Sequence, residues 1–284
     1  PKLLAALVAI VAGLSAVFSN DVVCLAMAPV LIDVCRARRL DPIPFLLALA
    51  CSANVGSALT LIGNTQNMLI GGKLNLSFSG YLLDAAIPVV LGLFVVWALI
   101  AWRSRGSWAL AAEEAATDAV PAHREPSPRV DGWQTAKGLS VATALFVLFL
   151  MAPVPREVIA LTAAGVLMMS RRLHSRKMLG LVDWQLLVLF IGLFVVNHAL
   201  EKTGLANEFV GRMAALGVDL HRPFPLFMTT FILSNIVSNV PAVMLLLPVA
   251  THELAGPLLA LASTLAGNLL IVGSIANIIV VDAA

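Results

Sequence analysis

The sequence predicts an all-α polytopic membrane protein, built as an inverted-topology repeat with two re-entrant helical hairpins and two interrupted helices. Three observations predict it. The 284 residues are 60% hydrophobic and 12% charged, with mean hydropathy +0.95, whereas a soluble domain is about 45–50% apolar and about 25% charged. Several apolar runs approach the roughly 20 residues that a spanning helix needs. Finally, SNDVVCLAMAP (19–29) is echoed by SNVPAVMLLLP (238–248), each opening on Ser-Asn and closing on Pro.

The elements follow in order. As one helix, block 3–35 would be about 50 Å long, too long for a hydrocarbon core of about 30 Å. A break at Ser19-Asn20 turns it into two half-length helices that enter and leave on one side. Residues 45–70 form a helix interrupted by Gly and Asn, and 84–102 form a span. These make the first repeat, 1–103. The polar stretch 104–136, with Pro121, Pro126 and Pro128, is a cytoplasmic linker. The second repeat, 137–284, has spans 137–152, 157–170 and 183–200, with the short basic loop RRLHSRK (171–177) before the last. LANEFVGRMAALG (205–217) has the pattern of an amphipathic helix along the interface. Residues 223–254 are the second hairpin, broken at Ser238-Asn239, and 256–280 the second interrupted helix.

Charge supports this threading. With both blocks as hairpins, 13 of the 18 Lys and Arg fall on one side, in Lys2, 36–39, 103–105, 124–137 and 171–177. That side is cytoplasmic by the positive-inside bias. The first hairpin then enters from the cytoplasm and the second from outside. Basic residues in connecting loops form no face for nucleic acid. Cys24, Cys35 and Cys51 lack metal-ligand spacing and read as small buried hydrophobes.

The halves align beyond the hairpins. Segment 47–70 matches LALASTLAGNLLIVGSIANIIV without gaps, Gly63 meeting Gly273 and Asn67 meeting Asn277. The offset is 219 at the hairpins and 210 here. Repeats inserted from opposite faces are the sequence mark of alternating-access carriers. The chain starts at Pro1 and stops after an apolar run. It is therefore expected to be a fragment, with about three spans missing at the start and one at the end by symmetry.

Polar residues at the breaks then acquire a purpose. A broken membrane helix frees N–H and C=O groups, so the break must face protein or a water-filled cavity. Half-helix N-termini favour anions, and freed carbonyls with side-chain oxygens suit a small hard cation. Ser15 precedes Ser19, and Ser234 precedes Ser238, by one helical turn, so each tip carries an oxygen cluster on one face. The sodium candidates are Ser15, Ser19, Asn20, Asp21, Ser234, Ser238 and Asn239. Gly56, Gly63, Gly267 and Gly273 permit close approach and the breaks themselves, or offer carbonyls as ligands. Asn54, Thr60, Asn64, Thr65, Asn67, Asn268, Ser274 and Asn277 line the cavity or bond across helices. Asp21 is the one carboxylate placed near mid-membrane, where a charge costs about 2.5–3.5 kcal/mol on insertion scales. It carries a coupling proton, ligates sodium, or caps the second half-helix.

Four motifs, SND…P (19–29), SANVGSALTLIGNTQN (52–67), SNVP…P (238–248) and AGNLLIVGSIAN (266–277), together resemble the ion transporter superfamily. It holds divalent anion:sodium symporters, citrate-type transporters, arsenite permeases and a sodium/proton antiporter branch. The resemblance covers most of the chain. The dicarboxylate branch has Ser-Asn-Thr at both tips. There, the resemblance implies, Ser and Asn bind sodium while Asn and Thr touch substrate carboxylates. Here the third position is Asp21 in one tip and Val240 in the other, closer to the arsenite permease and uncharacterised anion permease branch. The resemblance also implies a homodimer.

The expectation is therefore a multi-pass inner-membrane carrier, not an enzyme. Its cargo would be a small inorganic or carboxylate anion, coupled to sodium or protons, with no other cofactor and no nucleic-acid partner. Its rival is a sodium/proton antiporter. A channel fits the hairpins but not two opposed interrupted helices. An intramembrane protease would need more than Gly56-Ser57 and His198.

Overall fold

The computed structural model describes residues 2–105, 108, 132–152, 154–169, 180 and 184–284. Most of the proline-bearing linker and the loop 171–177 lie outside the described residues. Among these residues the regular structure is helical. The chain divides into two compact units: 1–119 with 197–284, and 120–196.

In the first unit, α1 (Lys2–Phe18) and α2 (Asn20–Ala37) meet at Ser19, whose φ is 72° and ψ 143°. Positive φ with extended ψ is sparsely populated backbone that costs a non-glycine about 1–3 kcal/mol. That cost is accepted again at Ser238, φ 78° and ψ 161°, between α10 (Pro223–Val237) and α11 (Asn239–Leu246). Both expected breaks therefore fall at the expected serine, in the same conformation. Pro248 then allows only a 3-10 turn, Leu247–Val249, after α11.

α3 (Pro42–Ser57) starts where the Asp41 carboxylate accepts the Ile43 N–H at 2.9 Å and Pro42 opens the first turn. It stops before an irregular stretch, and α4 (Thr65–Lys73) restarts with Asn64 as N-cap, accepting the Asn67 N–H at 2.8 Å. The second half repeats this. α12 (Ala255–Ala266) gives way to a 3-10 turn at Ile271–Gly273, then α13 (Ile275–Ala283). α1 and α2 pack on α3, and α10 and α11 pack on α12. Across the halves, α13 packs on α2 and α3, and α4 on α11 and α12. Leu4, Val11, Cys24, Leu49, Ala53 and Ala276 lie in one buried apolar cluster between them.

α5 (Phe78–Arg103) is, among the described residues, the helix long and apolar enough to cross a membrane alone. It buries Tyr81, Ala85 and Val89 and leaves Leu83, Ile87, Val90 and Phe94 outward, an apolar face suited to lipid. α9 (Leu205–Ala215) forms as the amphipathic pattern expects, with Arg212 and Glu208 paired at 2.6 Å on its exposed side. α8 (Trp184–Thr203) precedes it. In the second unit, α6 (Gly132–Met151) packs on α7 (Arg156–Met168), and Lys137 donates to the Val166 carbonyl at 3.1 Å, near the C-terminal end of α7.

Candidate functional site

The polar breaks converge on Asn54, in the last turn of α3. Its side-chain N–H groups donate to Asn268 and Asn277 Oδ1, both at 2.9 Å. Its Oδ1 accepts from Asn20 Nδ2 at 3.0 Å and Ser274 Oγ at 2.9 Å. One buried amide thus uses its two donors and both acceptor lone pairs. It ties the first tip to the broken helix of the second half. The first tip is held again by the Asn20 backbone N–H, which donates to the Gly63 carbonyl at 3.3 Å.

A reciprocal contact lies beside it. Asn64 Nδ2 donates to Thr264 Oγ1 at 3.1 Å and to Ser57 Oγ at 3.1 Å, and Gln66 Nε2 donates to Thr264 Oγ1 at 3.3 Å. At offset 210, Thr264 is the counterpart of Asn54 and Ser274 that of Asn64. The pair Asn54–Ser274 is therefore mirrored by Thr264–Asn64.

The freed carbonyls of the breaks are also satisfied alike. Asn67 Nδ2 donates to the Ser57 and Thr60 carbonyls at 3.4 and 2.9 Å. Asn277 Nδ2 donates to Gly267 and Leu270, the carbonyls at the same spacing, at 2.6 and 3.2 Å. Asn67 also donates to the Tyr81 hydroxyl at 3.1 Å, which itself donates to the Ala58 carbonyl at 2.7 Å.

Glycines permit these approaches. A Cβ at Gly63 would overlap the Ser57 carbonyl, and one at Gly56 would overlap the Ala12 backbone, where α1 crosses α3. At Gly267 it would sit 3.1 Å from the Ser274 Cβ, and at Gly273 3.1 Å from Asn235 Oδ1.

The remaining expected residues are placed as follows. Thr60 Oγ1 donates to the Ala16 carbonyl at 2.5 Å, joining the first break to α1. Thr65 Oγ1 contacts Gln66 Oε1 at 3.4 Å. Ser19 and Ser238 occupy N-cap positions, yet neither side chain makes a capping bond. The Ser19 hydroxyl reaches Asn20 Oδ1 at 3.4 Å instead, while Ser238 is exposed. Asp21 lies in the first turn of α2, and its carboxylate faces the Ala276 N–H at the start of α13. The acid thus meets the N-terminus of the other half's broken helix. Among the described residues no cluster of three His, Cys, Asp or Glu could hold a metal ion.

Five buried side-chain atoms in this region have no hydrogen-bond partner: Ser15 Oγ, Asn67 Oδ1, Ser234 Oγ, Asn235 Oδ1 and Asn239 Oδ1. All but Asn67 lie within about one helical turn of the breaks at Ser19 and Ser238. Sequence reasoning passed over Asn235, Gln66, Thr264 and Tyr81. For Asn235 a signal existed, because SN stands at 234–235 and again at 238–239, one turn apart.

Comparison with known proteins gives this arrangement its context. The sequence profile described as Citrate transporter matches residues 1–266. The chain belongs to the citrate transporter family. It is a multi-pass membrane protein of a transporter family. It is similar to a 46 kDa membrane protein of Mycobacterium leprae, 29% identical, covering 100% of this chain and 69% of the relative. It is likewise similar to the silicon efflux transporter LSI3 of Oryza sativa subsp. japonica, 28% identical over 95% of this chain and 69% of the relative. The inner membrane protein YbiR of Escherichia coli is 28% identical over 94% of this chain and 65% of its own length. Within this family, the oxygen-lined breaks are a candidate path for a polar solute.

Proposed function

We propose that the protein is a secondary active transporter of the inner membrane, moving a small inorganic or carboxylate anion by alternating access, coupled to sodium or protons. The observation that carries this reading is the Asn54 amide, shared between the first hairpin tip and the second half's broken helix. An inverted repeat, with hairpins re-entering from opposite faces, accounts for it. A pseudo-two-fold produces contacts in reciprocal pairs, as Asn54–Ser274 and Thr264–Asn64 are. Hydrogen bonds worth about 1 kcal/mol net each allow one packing of the halves to be exchanged for another without a prohibitive barrier.

The family's description as citrate transporters and a relative's name as a silicon efflux transporter support a small carboxylate or inorganic cargo, and the name of YbiR supports an inner-membrane location. Segments 3–35, 42–72, 223–250 and 255–281 contain no Lys, Arg or His. Backbone dipoles, amide and hydroxyl donors or a co-transported sodium must therefore offset the charge of an anion. Oxygen clusters at Ser15, Ser19 and Asn20, and at Ser234, Ser238 and Asn239, are the places for sodium, with Asp21 beside the first. Asp21 favours one rival, sodium/proton exchange, because an acid with no cationic partner in these segments suits either ion.

The test is charge movement on a solid-supported membrane with the full open reading frame in liposomes. Citrate, other dicarboxylates, phosphate, sulfate and arsenite are jumped with and without sodium at two pH values. Current requiring an anion together with sodium or a proton gradient supports the carrier. Current from sodium jumps alone, reversing with the proton gradient and indifferent to every anion, assigns exchange.

A further inference from the structure

We infer that the α2–α3 connection and the end of α5 together bind the headgroup of an anionic phospholipid, with Arg38, Arg39, Arg103 and Arg105 as its cations. The inference needs the membrane location and not the cargo, so it stands or falls apart from the transport reading. α2 ends in a Schellman turn. The Arg39 N–H donates to the Arg36 carbonyl at 3.1 Å, and the Leu40 N–H to the Cys35 carbonyl at 2.9 Å. The residue that carries the chain round such a turn has positive φ, and glycine is its usual occupant. Here that residue is Arg39, with φ 53°. Glycine would serve the turn better, so what the arginine adds is its charge. Arg38 and Arg39 are both exposed.

A second pair of cations is brought to the first. The Asp41 N–H donates to the Trp108 carbonyl at 3.1 Å, and the Trp108 ring lies 5.9 Å from that of Phe45 in the first turn of α3. Trp108 stands three residues past Arg105, about 11 Å of chain at most. Arg103, which ends α5, and Arg105 are therefore held near the α2–α3 connection, and both are exposed. Asp41, the carboxylate of that connection, serves as the N-cap of α3. Ion pairs among the described residues involve Arg212 and Arg222 instead. The surface next to these cations selects a lipid over a soluble anion. Val95, Leu99 and Trp102 are each more than half exposed and follow one face of α5 up to Arg103. An acyl chain lies along that face while its phosphate meets the arginines. Tryptophan is at home at headgroup level, and each surface cation strengthens attraction to an acidic lipid about fivefold.

The full-length protein is purified in a neutral detergent and titrated with phosphatidylglycerol, with phosphatidylcholine and inorganic phosphate as separate arms. Bound lipid is counted by native mass spectrometry, and melting temperature is followed in parallel. Expected is a rise in melting temperature with phosphatidylglycerol alone, as for any ligand of the folded state. Arg39→Gln should weaken phosphatidylglycerol binding about fivefold, while Arg39→Lys keeps most of it. Arg39→Gly should bind as weakly as Arg39→Gln, yet melt without lipid at least as high as the unsubstituted protein, because glycine suits the turn. Four results overturn the inference: equal binding of the two lipids, the same rise from inorganic phosphate, an Arg39→Gln variant that binds phosphatidylglycerol unchanged, or an Arg39→Lys variant as weak as Arg39→Gln. The phosphate result would assign the four arginines to a soluble anion.

Discussion

The two helix breaks at Ser19 and Ser238 share a backbone and differ in what the side chains around them do. Ser19 and Ser238 hold the same positive-φ break, with φ 72° and 78°. In the first tip Asn20 is bonded to Asn54, and Asp21 faces the start of α13. In the second tip Ser234, Asn235 and Asn239 keep unpaired oxygens, and the counterpart of Asp21 is Val240. The same Ser-Asn pair thus fixes where a helix opens but not what its neighbours bond to. The first break is bonded to the end of α3 at Asn54, while three side-chain oxygens at the second have no partner in the protein.

The sharpest way to break this comparison is at the joint. Asn54→Leu strands four partners at once, so the folded state should lose on the order of 3 kcal/mol, given about 1–3 kcal/mol for a buried group left unpaired. Transport should vanish. Melting in detergent and proteoliposome uptake read the two effects. Asn239→Leu, at the second break, where its Oδ1 has no partner, should spare stability and impair transport alone.

Next comes the acid that only one tip carries. Asp21→Asn should leave the fold intact and bring the accumulation ratio under an imposed ion gradient down to unity. Val240→Asp in that background should not restore it, because the acid would stand at the wrong end of the exchange. Uphill uptake with the gradient set, then collapsed by an ionophore, decides this.

The glycines test how alike the breaks are. Gly63→Ala meets the Ser57 backbone and should cost about 1–3 kcal/mol, as overpacking does. Gly273→Ala meets the Asn235 side chain, which can give way, and should cost less. The smallest expected effect is Tyr81→Phe, which removes the bonds to Asn67 and Ala58 from the first break alone. A loss near 1 kcal/mol, with transport retained, would fit. Chemical denaturation of the purified variants ranks all three.

Much of the fold was legible because its breaks are written in residue type. Ser-Asn marked both helix breaks, and Gly63 and Gly273 marked both interruptions, so Ser19, Ser238 and the gaps in 58–64 and 267–274 fell where expected, although α2 runs on through Pro29 to Ala37. Asn64 as an N-cap follows from its residue type alone. The partners of Asn54 were not legible. Asn268 and Asn277 lie 214 and 223 residues away, and only the packing of α13 and α12 on α3 selects them. Thr264 escaped notice because a mid-helix threonine reads as filler until Asn64 and Gln66 arrive from the other half. Asn235 is legible only in combination, as the earlier of two Ser-Asn pairs, 234–235 and 238–239, set one turn apart across the break.

The account depends most on the second tip opening to one side at a time and closing over substrate. Cys24, Cys35 and Cys51 are free thiols and are first replaced. Ser238→Cys, at an exposed position with no capping bond, is then labelled with a membrane-impermeant maleimide in sealed vesicles of known orientation. The account predicts labelling from one side without substrate, and protection or a change of side when a transported acid is added. Labelling from both sides at once, indifferent to every acid and gradient, would contradict it and describe an open pore.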